Sequence, residues 1–202
     1  MQYDDLDFWV CYKHHSAPTL ITEIPSKIQA DRRLKAYKHL TQRRGCVDAG
    51  ANVGMWTRFL MREFDTVYAF EPNPTFVKCF KKNIDLDQNV KLFQYGLSDK
   101  EHTASQDFNS TMMSHEPGSV TCRTLDSFGL KDIDLIKVDV DGFEDVLMQG
   151  ARQTNKDNSP VIIIEMKRAK RPDICGKADT MLKELGWLLL PELLNVDYRE
   201  MS

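Results

Sequence analysis

The sequence predicts an α/β fold: a doubly wound, mostly parallel sheet of seven strands with a short N-terminal extension. Three observations predict it. A short apolar run, Cys46-Val47, feeds the glycine-rich turn Asp48-Ala49-Gly50-Ala51-Asn52-Val53-Gly54, and a helical pattern of Met55, Trp56, Phe59 and Leu60 follows. A second apolar run, 67–70, ends about 20 residues on in an acid, Glu71. The same alternation of strand and helix then continues down the chain, as expected of a parallel sheet covered on both faces.

The elements follow in order. Residues 1–44 read as an irregular arm and a helix over 31–42, closed by Gly45 before the first strand. After the helix at 55–63 and the second strand, Pro74 opens a helix over 75–84, and 89–95 forms the third strand. Residues 98–123 are polar and read as a hairpin or a mobile flap, with Met112 and Met113 in a lid or under a loop. A short helical turn at 124–128 precedes a fourth strand at 134–140. A helix over 142–150 follows, capped by Gly150. Residues 160–165 are a buried parallel strand ending in Glu165. A helix at 173–185 and strands at 187–190 and 195–199 complete seven strands. No linker or repeat is visible, so 1–202 reads as one domain: an arm and helix to 44, and a core over 45–202.

In such sheets a ligand lies beyond the carboxyl ends of the strands. Those ends carry Asp48 and Gly50, then Glu71, then Gly96, Leu97 and Ser98, then Asp139 and Asp141, and finally Glu165. The acid after the second strand suits the two hydroxyls of a ribose. The turn departs from the dinucleotide pattern G-x-G-x-x-G, because Asn52 stands where the second glycine belongs. Asp48, just before the turn, repels a pyrophosphate and suits a cation such as the amino group of a methionine moiety. The pattern therefore favours S-adenosylmethionine, with S-adenosylhomocysteine as product, over a nicotinamide dinucleotide. The glycines of the turn let the backbone approach the ligand closely, and the helix N-terminus is expected to offer free N–H groups to an anionic part of it. The expected binding set is Asp48, Gly50, Ala51, Asn52, Gly54, Met55, Trp56 and Thr57 around the turn. Glu71, Pro72 and Asn73 follow the second strand, Gly96, Leu97 and Ser98 the third, and Asp139 and Val140 the fourth. Trp56 and Met55 suit helix packing equally well.

Composition narrows the partners. A formal net charge of −3 argues against a dedicated nucleic-acid binder, and the basic stretch from Arg32 to Arg44 reads as the solvated face of a helix. Five scattered cysteines without a C-x-x-C pair fit reduced thiols in the cytoplasm. No apolar run approaches the ~18 residues of a membrane span, and the acidic, polar start of the chain does not read as a signal peptide.

Taken together, Val47 to Gly54, Ala69-Phe70-Glu71-Pro72-Asn73-Pro74, Thr124-Leu125-Asp126 and Ile136-Lys137-Val138-Asp139-Val140-Asp141-Gly142-Phe143-Glu144 resemble the FkbM-type methyltransferases. Leu147, Gly150-Ala151 and the strand 161–165 continue the likeness, which spans roughly 45–166. The resemblance implies a Rossmann-like class I methyltransferase fold and O-methylation of a hydroxyl, on a sugar, a glycan or a small metabolite. Asp141 stands where the family usually has glutamate, and the segments flanking the core, where substrate specificity normally resides, are short.

Methyl transfer to a hydroxyl needs in-line alignment and an acceptor for one proton. Asp139 is the first candidate for the reacting centre. Lys137 lies one strand period away and points to the same face, which serves either a salt bridge or an acid–base pair. Glu165 either touches substrate or caps a loop, and Asp141 reads as the cap of the following helix. His115, in the polar flap, is the best-placed histidine for a base. No metal is expected, although Asp139, Asp141 and Glu165 have the oxygen chemistry of magnesium ligands.

The rivals are RNA ribose 2′-O-methylation, for which Lys137, Asp139 and Glu165 mimic part of a Lys-Asp-Lys-Glu set without a second lysine, and a non-catalytic cofactor-binding module. The amine- and cytosine-methylating patterns Asn/Asp-Pro-Pro-aromatic and Pro-Cys are absent after the fourth strand.

Overall fold

The structure is a computed structural model, and it describes residues 6–10, 19–24, 30–86, 88–106, 113–114, 116, 118–165, 176, 180 and 182–184. Strands β1 (Leu6–Val10) and β2 (Thr19–Ile24) form an antiparallel pair in the N-terminal arm. Helix α1 (Ala30–Tyr37) leads into β3 (Gly45–Ala49), followed by α2 (Met55–Leu60), β4 (Thr66–Phe70), α3 (Pro74–Asn83) and β5 (Val90–Phe93). Beyond β6 (Gly96–Leu97) come β7 (His102–Gln106), β8 (Met113–Ser114) and β9 (Val120–Arg123), and then a 3₁₀ turn at Leu125–Phe128. Strand β10 (Ile133–Val138), helices α4 (Glu144–Gln149) and α5 (Arg152–Asn158), and β11 (Val161–Ile164) complete the described core.

Five strands form one parallel sheet in the order β11-β10-β3-β4-β5. Counted along the sheet, the order runs 5-4-1-2-3, so the winding reverses between β3 and β10. That switch point is where doubly wound sheets bind ligands. The seven-strand expectation is therefore met for five strands; the expected strands at 187–190 and 195–199 lie outside the described residues. Strand β6 and three strands of the polar stretch 98–123 build a second sheet, β6-β9-β7-β8. The hairpin reading of that stretch describes this sheet in part, since β7 runs antiparallel to both β8 and β9.

Side-chain alternation sorts the core into two layers. Val47, Ala49, Ile136 and Val138 pack on one face with Phe70, Leu125, Leu147 and Met148. Cys46, Leu135, Val67 and Ala69 pack on the other with Trp56, Leu60, Phe64 and Phe80. The next inward positions on this second face, Asp48 and Lys137, are polar and buried. On the same face, the buried Arg33 of α1 lays its guanidinium 3.8 Å from the Phe59 ring centroid and 5.4 Å from that of Trp56, which fixes α1 against α2.

Four expectations need correction. Helix α5 was not anticipated: Arg152-Gln-Thr-Asn-Lys-Asp-Asn158 has no apolar stripe. Its first turn is held from outside by Asp126, whose carboxylate accepts from the backbone N–H of Gln153 (3.0 Å) and Thr154 (2.7 Å) and from the Thr154 hydroxyl (2.8 Å). Gly150 ends α4 at φ −79°, not in the left-handed cap conformation. A Cβ there would lie 2.0 Å from the Ser98 carbonyl oxygen, so close approach explains the glycine. Strand β11 is half-buried throughout, at the edge of the described sheet. Finally, not all five cysteines are reduced. Cys46 and Cys122 are free and buried, but Cys79, buried on α3, is disulfide-bonded. That bond removes the cysteine-based ground for a cytoplasmic location. Among the described residues, no helix is long and apolar enough to cross a membrane.

Candidate active site

The glycine turn is held by its own hydrogen bonds. Gly50 has φ 75°, and a Cβ there would lie 1.9 Å from the Asp139 carbonyl oxygen, so only glycine lets β3 and β10 close up at this point. The N–H groups of Gly50 and Ala51 both donate to the Phe70 carbonyl (3.0 Å each). Asn52 N–H donates to Glu71 Oε2 (2.8 Å), Val53 N–H to Asn52 Oδ1 (2.8 Å), and Gly54 N–H to the Ala51 carbonyl (2.9 Å). Five consecutive donors are thus used internally. The turn itself therefore gives a pyrophosphate no open donor at residues 50–54.

Glu71 closes the turn from β4. Its second oxygen, Oε1, accepts from Asn73 N–H (2.8 Å), and Asn73 in turn caps α3 by accepting from Thr75 N–H. Burial pushes the Glu71 carboxyl up to about 7, against the pull of the two backbone donors and Lys137. A carboxylate oxygen accepts more than one hydrogen bond, so the remaining lone pairs are available to hydroxyls in the cavity that Glu71 lines.

Asp48 meets a cation from within the chain. It is the register partner of Lys137 on β10, and Lys137 Nζ lies 3.0 Å from Asp48 Oδ1. The other oxygen, Oδ2, accepts from the Thr57 hydroxyl at 2.7 Å. Lys137 Nζ also donates to the carbonyls of Gly50 (2.8 Å) and Ala49 (3.3 Å), and lies 3.9 Å from Asp139. Burial alone would lower the Lys137 ammonium. Asp48, Asp139 and Glu71 outweigh it and hold the group above its ordinary value. The structure thus places Asp48 inside the fold, where it clamps the turn through Lys137.

At the end of β10, Asp139 forms a carboxyl pair with Glu165. The register runs Val138 to Ile164, so the next residues on the two strands are lateral neighbours, and Glu165 N–H donates to the Val138 carbonyl at 2.8 Å. Burial raises Asp139 to about 7. Lys137 opposes the rise, while the hydrogen bond from Glu165 and the charges of Glu165 and Asp141 add to it. Glu165 also faces Arg32 of α1, with Nη1 to Oε1 at 3.3 Å. The N-cap position of α4 is Phe143, not Asp141. Asp141 stands at φ 50°, two residues before that position, and it is Glu144 that accepts from Gly142 N–H (3.1 Å).

One cavity gathers these groups at the switch point. It is lined by Gly50, Asn52, Glu71, Pro72, Gly96, Leu97, Asp139 and Val140, all expected in the binding set, and by Phe70, Phe76, Tyr95 and Asp141. Tyr95 was missed, although its place at the third strand end was a usable signal; Phe76 on α3 carried none. Asp48, Ala51, Gly54, Met55, Trp56, Thr57, Asn73 and Ser98, and likewise Lys137 and Glu165, are not among the residues that line it. His115 lies outside the described residues. Among the described residues, no three His, Cys, Asp or Glu side chains gather as metal ligands.

The strand order and the cavity at its switch point define a Rossmann-like class I methyltransferase domain. The methyltransferase FkbM domain matches residues 48–199. Methyltransferase 1 of Beauveria bassiana (strain ARSEF 2860) is 27% identical over 183 residues, covering 72% of this chain and 73% of that protein. The crystal structure of methyltransferase FkbM from Methylobacillus flagellatus KT superposes with a TM-score of 0.53 at 16% identity, covering 70% of this chain. This chain spans only 37% of that structure's length. The chain belongs to the FkbM methyltransferase family, and its function is methyl transfer.

Proposed function

We propose that the protein is an S-adenosylmethionine-dependent O-methyltransferase acting on a hydroxyl of a sugar, a glycan or a small metabolite. The observation that carries the cofactor reading is the closed turn at residues 50–54 beside the cavity-facing carboxylate of Glu71. A ligand there is held by an acceptor of hydroxyl protons, and the turn at residues 50–54 has no open donor for a phosphate. Both features fit a ribose without a pyrophosphate. Glu71 would hold the ribose, the turn and Leu97 would border the adenosine moiety, and Asp139 would border the methionine end. When bound, the cofactor supplies an electrophilic methyl group on a sulfonium.

The remaining chemistry belongs to the chain. Asp139 takes the proton of the acceptor hydroxyl, and its carboxyl, raised to about 7, is matched to that task near neutral pH. Lys137 does not meet the acceptor; its donors hold Asp48 and the β3 carbonyls and so fix the cavity wall. Tyr95 and Phe76 add apolar cover that narrows the access of water.

The test is incubation with S-adenosylmethionine and a panel of monosaccharides, polyols and small alcohols, with product analysis by mass spectrometry and NMR. A methyl ether on one acceptor class supports the reading. Methyl transfer confined to nitrogen, carbon or RNA ribose contradicts it.

A further inference from the structure

A cation stands beside the Asp139–Glu165 pair that the chemistry above leaves unused. Arg32 lies in the first turn of α1, and its guanidinium Nη1 is 3.3 Å from Glu165 Oε1, with side-chain exposures of 18% and 10%. Its direction is fixed from next door, because Arg33 is buried against Phe59 and Trp56. Glu165 therefore has a guanidinium on one side and the Asp139 carboxyl on the other.

Two carboxyls in hydrogen-bond contact share a proton over a range of pH, and their other neighbours decide which of them holds it. Glu165 has Arg32 within hydrogen-bond distance, and a charge-assisted bond favours its ionised form. Among the described residues, the cation nearest Asp139 is the more distant ammonium of Lys137 at 3.9 Å, itself closer to Asp48 and to the Gly50 carbonyl. Asp141, on the loop after β10, adds negative charge on the Asp139 side, and Glu71 lines the same cavity. Arg32 on the Glu165 side and Asp141 on the Asp139 side thus drive the proton toward Asp139, against the opposing pull of the more distant Lys137 ammonium.

We propose that Arg32 is a positioning residue: it holds Glu165 ionised and so places the proton of the carboxyl pair on Asp139, the member that faces the cavity. The consequence for catalysis rests on the reading of Asp139 as the proton acceptor. Asp139 is then the group that gains and releases the proton, and Glu165 is a fixed charge beside it.

The test needs neither cofactor nor acceptor, so its failure is distinct from failure of the methyltransferase reading. The full chain is labelled with ¹³C at the aspartate side-chain carboxyl, Asp139 is assigned with Asp139→Asn, and the signal is followed with pH. At a pH below the Asp139 midpoint of about 7, wild type and Arg32→Lys should show Asp139 protonated. Arg32→Met should move the signal toward the carboxylate position, because the proton passes to Glu165. An Asp139 signal unchanged in folded Arg32→Met overturns the proposal. If Arg32→Met does not fold, Glu165→Gln serves in its place. It should lower the Asp139 midpoint by about 1 pH unit or more, and an unchanged midpoint overturns the proposal.

Discussion

Asp48 and Lys137 are register partners on the adjacent parallel strands β3 and β10, and they form an ion pair closed to solvent, Nζ to Oδ1 3.0 Å. Removing one partner leaves an uncompensated buried charge, which costs about 3–5 kcal/mol. Lys137→Met should therefore lower unfolding free energy in urea by that amount. The double variant Asp48→Leu/Lys137→Met should lose clearly less than the two single losses added together. Simple additivity would mean that the pair is not coupled.

Gly50 is the second structural test. A Cβ at φ 75° costs about 1–2 kcal/mol. Its collision with the Asp139 carbonyl adds about 1–3 kcal/mol for overpacking. Gly50→Ala should be destabilised by roughly the sum. Gly129→Ala should show only the conformational part, since nothing lies within 4 Å of a Cβ at that residue. Equal losses in the two variants would remove the contact between β3 and β10 as the reason for Gly50.

Glu71 and Asp139 give the protein a pH signature. Burial is the first cause in both, and each carboxyl titrates at about 7 in the fold, against 4.5 and 3.8 as ordinary values. Between those limits the folded chain holds protons that the unfolded chain has lost. Their contribution is complete below the ordinary values and disappears as pH rises through about 7. Stability in urea should thus fall from pH 4.5 to pH 7 through these groups, and Glu71→Gln or Asp139→Asn should each flatten part of that slope. A slope unchanged in both variants contradicts the assignment.

Much of this was legible locally. The turn, Glu71 and the strand-end rule are short-range patterns, and they led to eight of the residues that line the cavity: Gly50, Asn52, Glu71, Pro72, Gly96, Leu97, Asp139 and Val140. What the sequence hid is pairing across strands. Lys137 lies two residues from Asp139, so the local reading joined those two. The register instead sets Lys137 against Asp48, 89 positions away. Arg32 read as part of a solvated helix face because its partner, Glu165, lies on another element. Helix α5 was invisible because Asp126, not an apolar stripe, holds its first turn.

Cys79 makes a chemical prediction. Alkylation of denatured, unreduced protein should modify Cys46 and Cys122 but spare Cys79, and prior reduction should expose it. Modification of Cys79 without reductant would show that the bond does not form.

Asp139→Asn should fold and bind S-adenosylhomocysteine while losing about a hundredfold or more of methyl transfer to the hydroxyl acceptor that wild type uses, the usual contribution of a general base. Glu71→Ala should instead weaken binding of S-adenosylhomocysteine by about tenfold or more, the loss expected for hydrogen bonds to a charged group. An Asp139→Asn variant with full turnover would take Asp139 out of the chemistry.

The most direct measurement is thermal unfolding with S-adenosylhomocysteine and, separately, with NADH. A ligand at about 100 times its dissociation constant adds ~2.7 kcal/mol. For a chain of this length that is a rise of about 5–10 °C. A rise with S-adenosylhomocysteine alone is the predicted result; no rise with it, or a rise with NADH instead, would contradict the cofactor site described above.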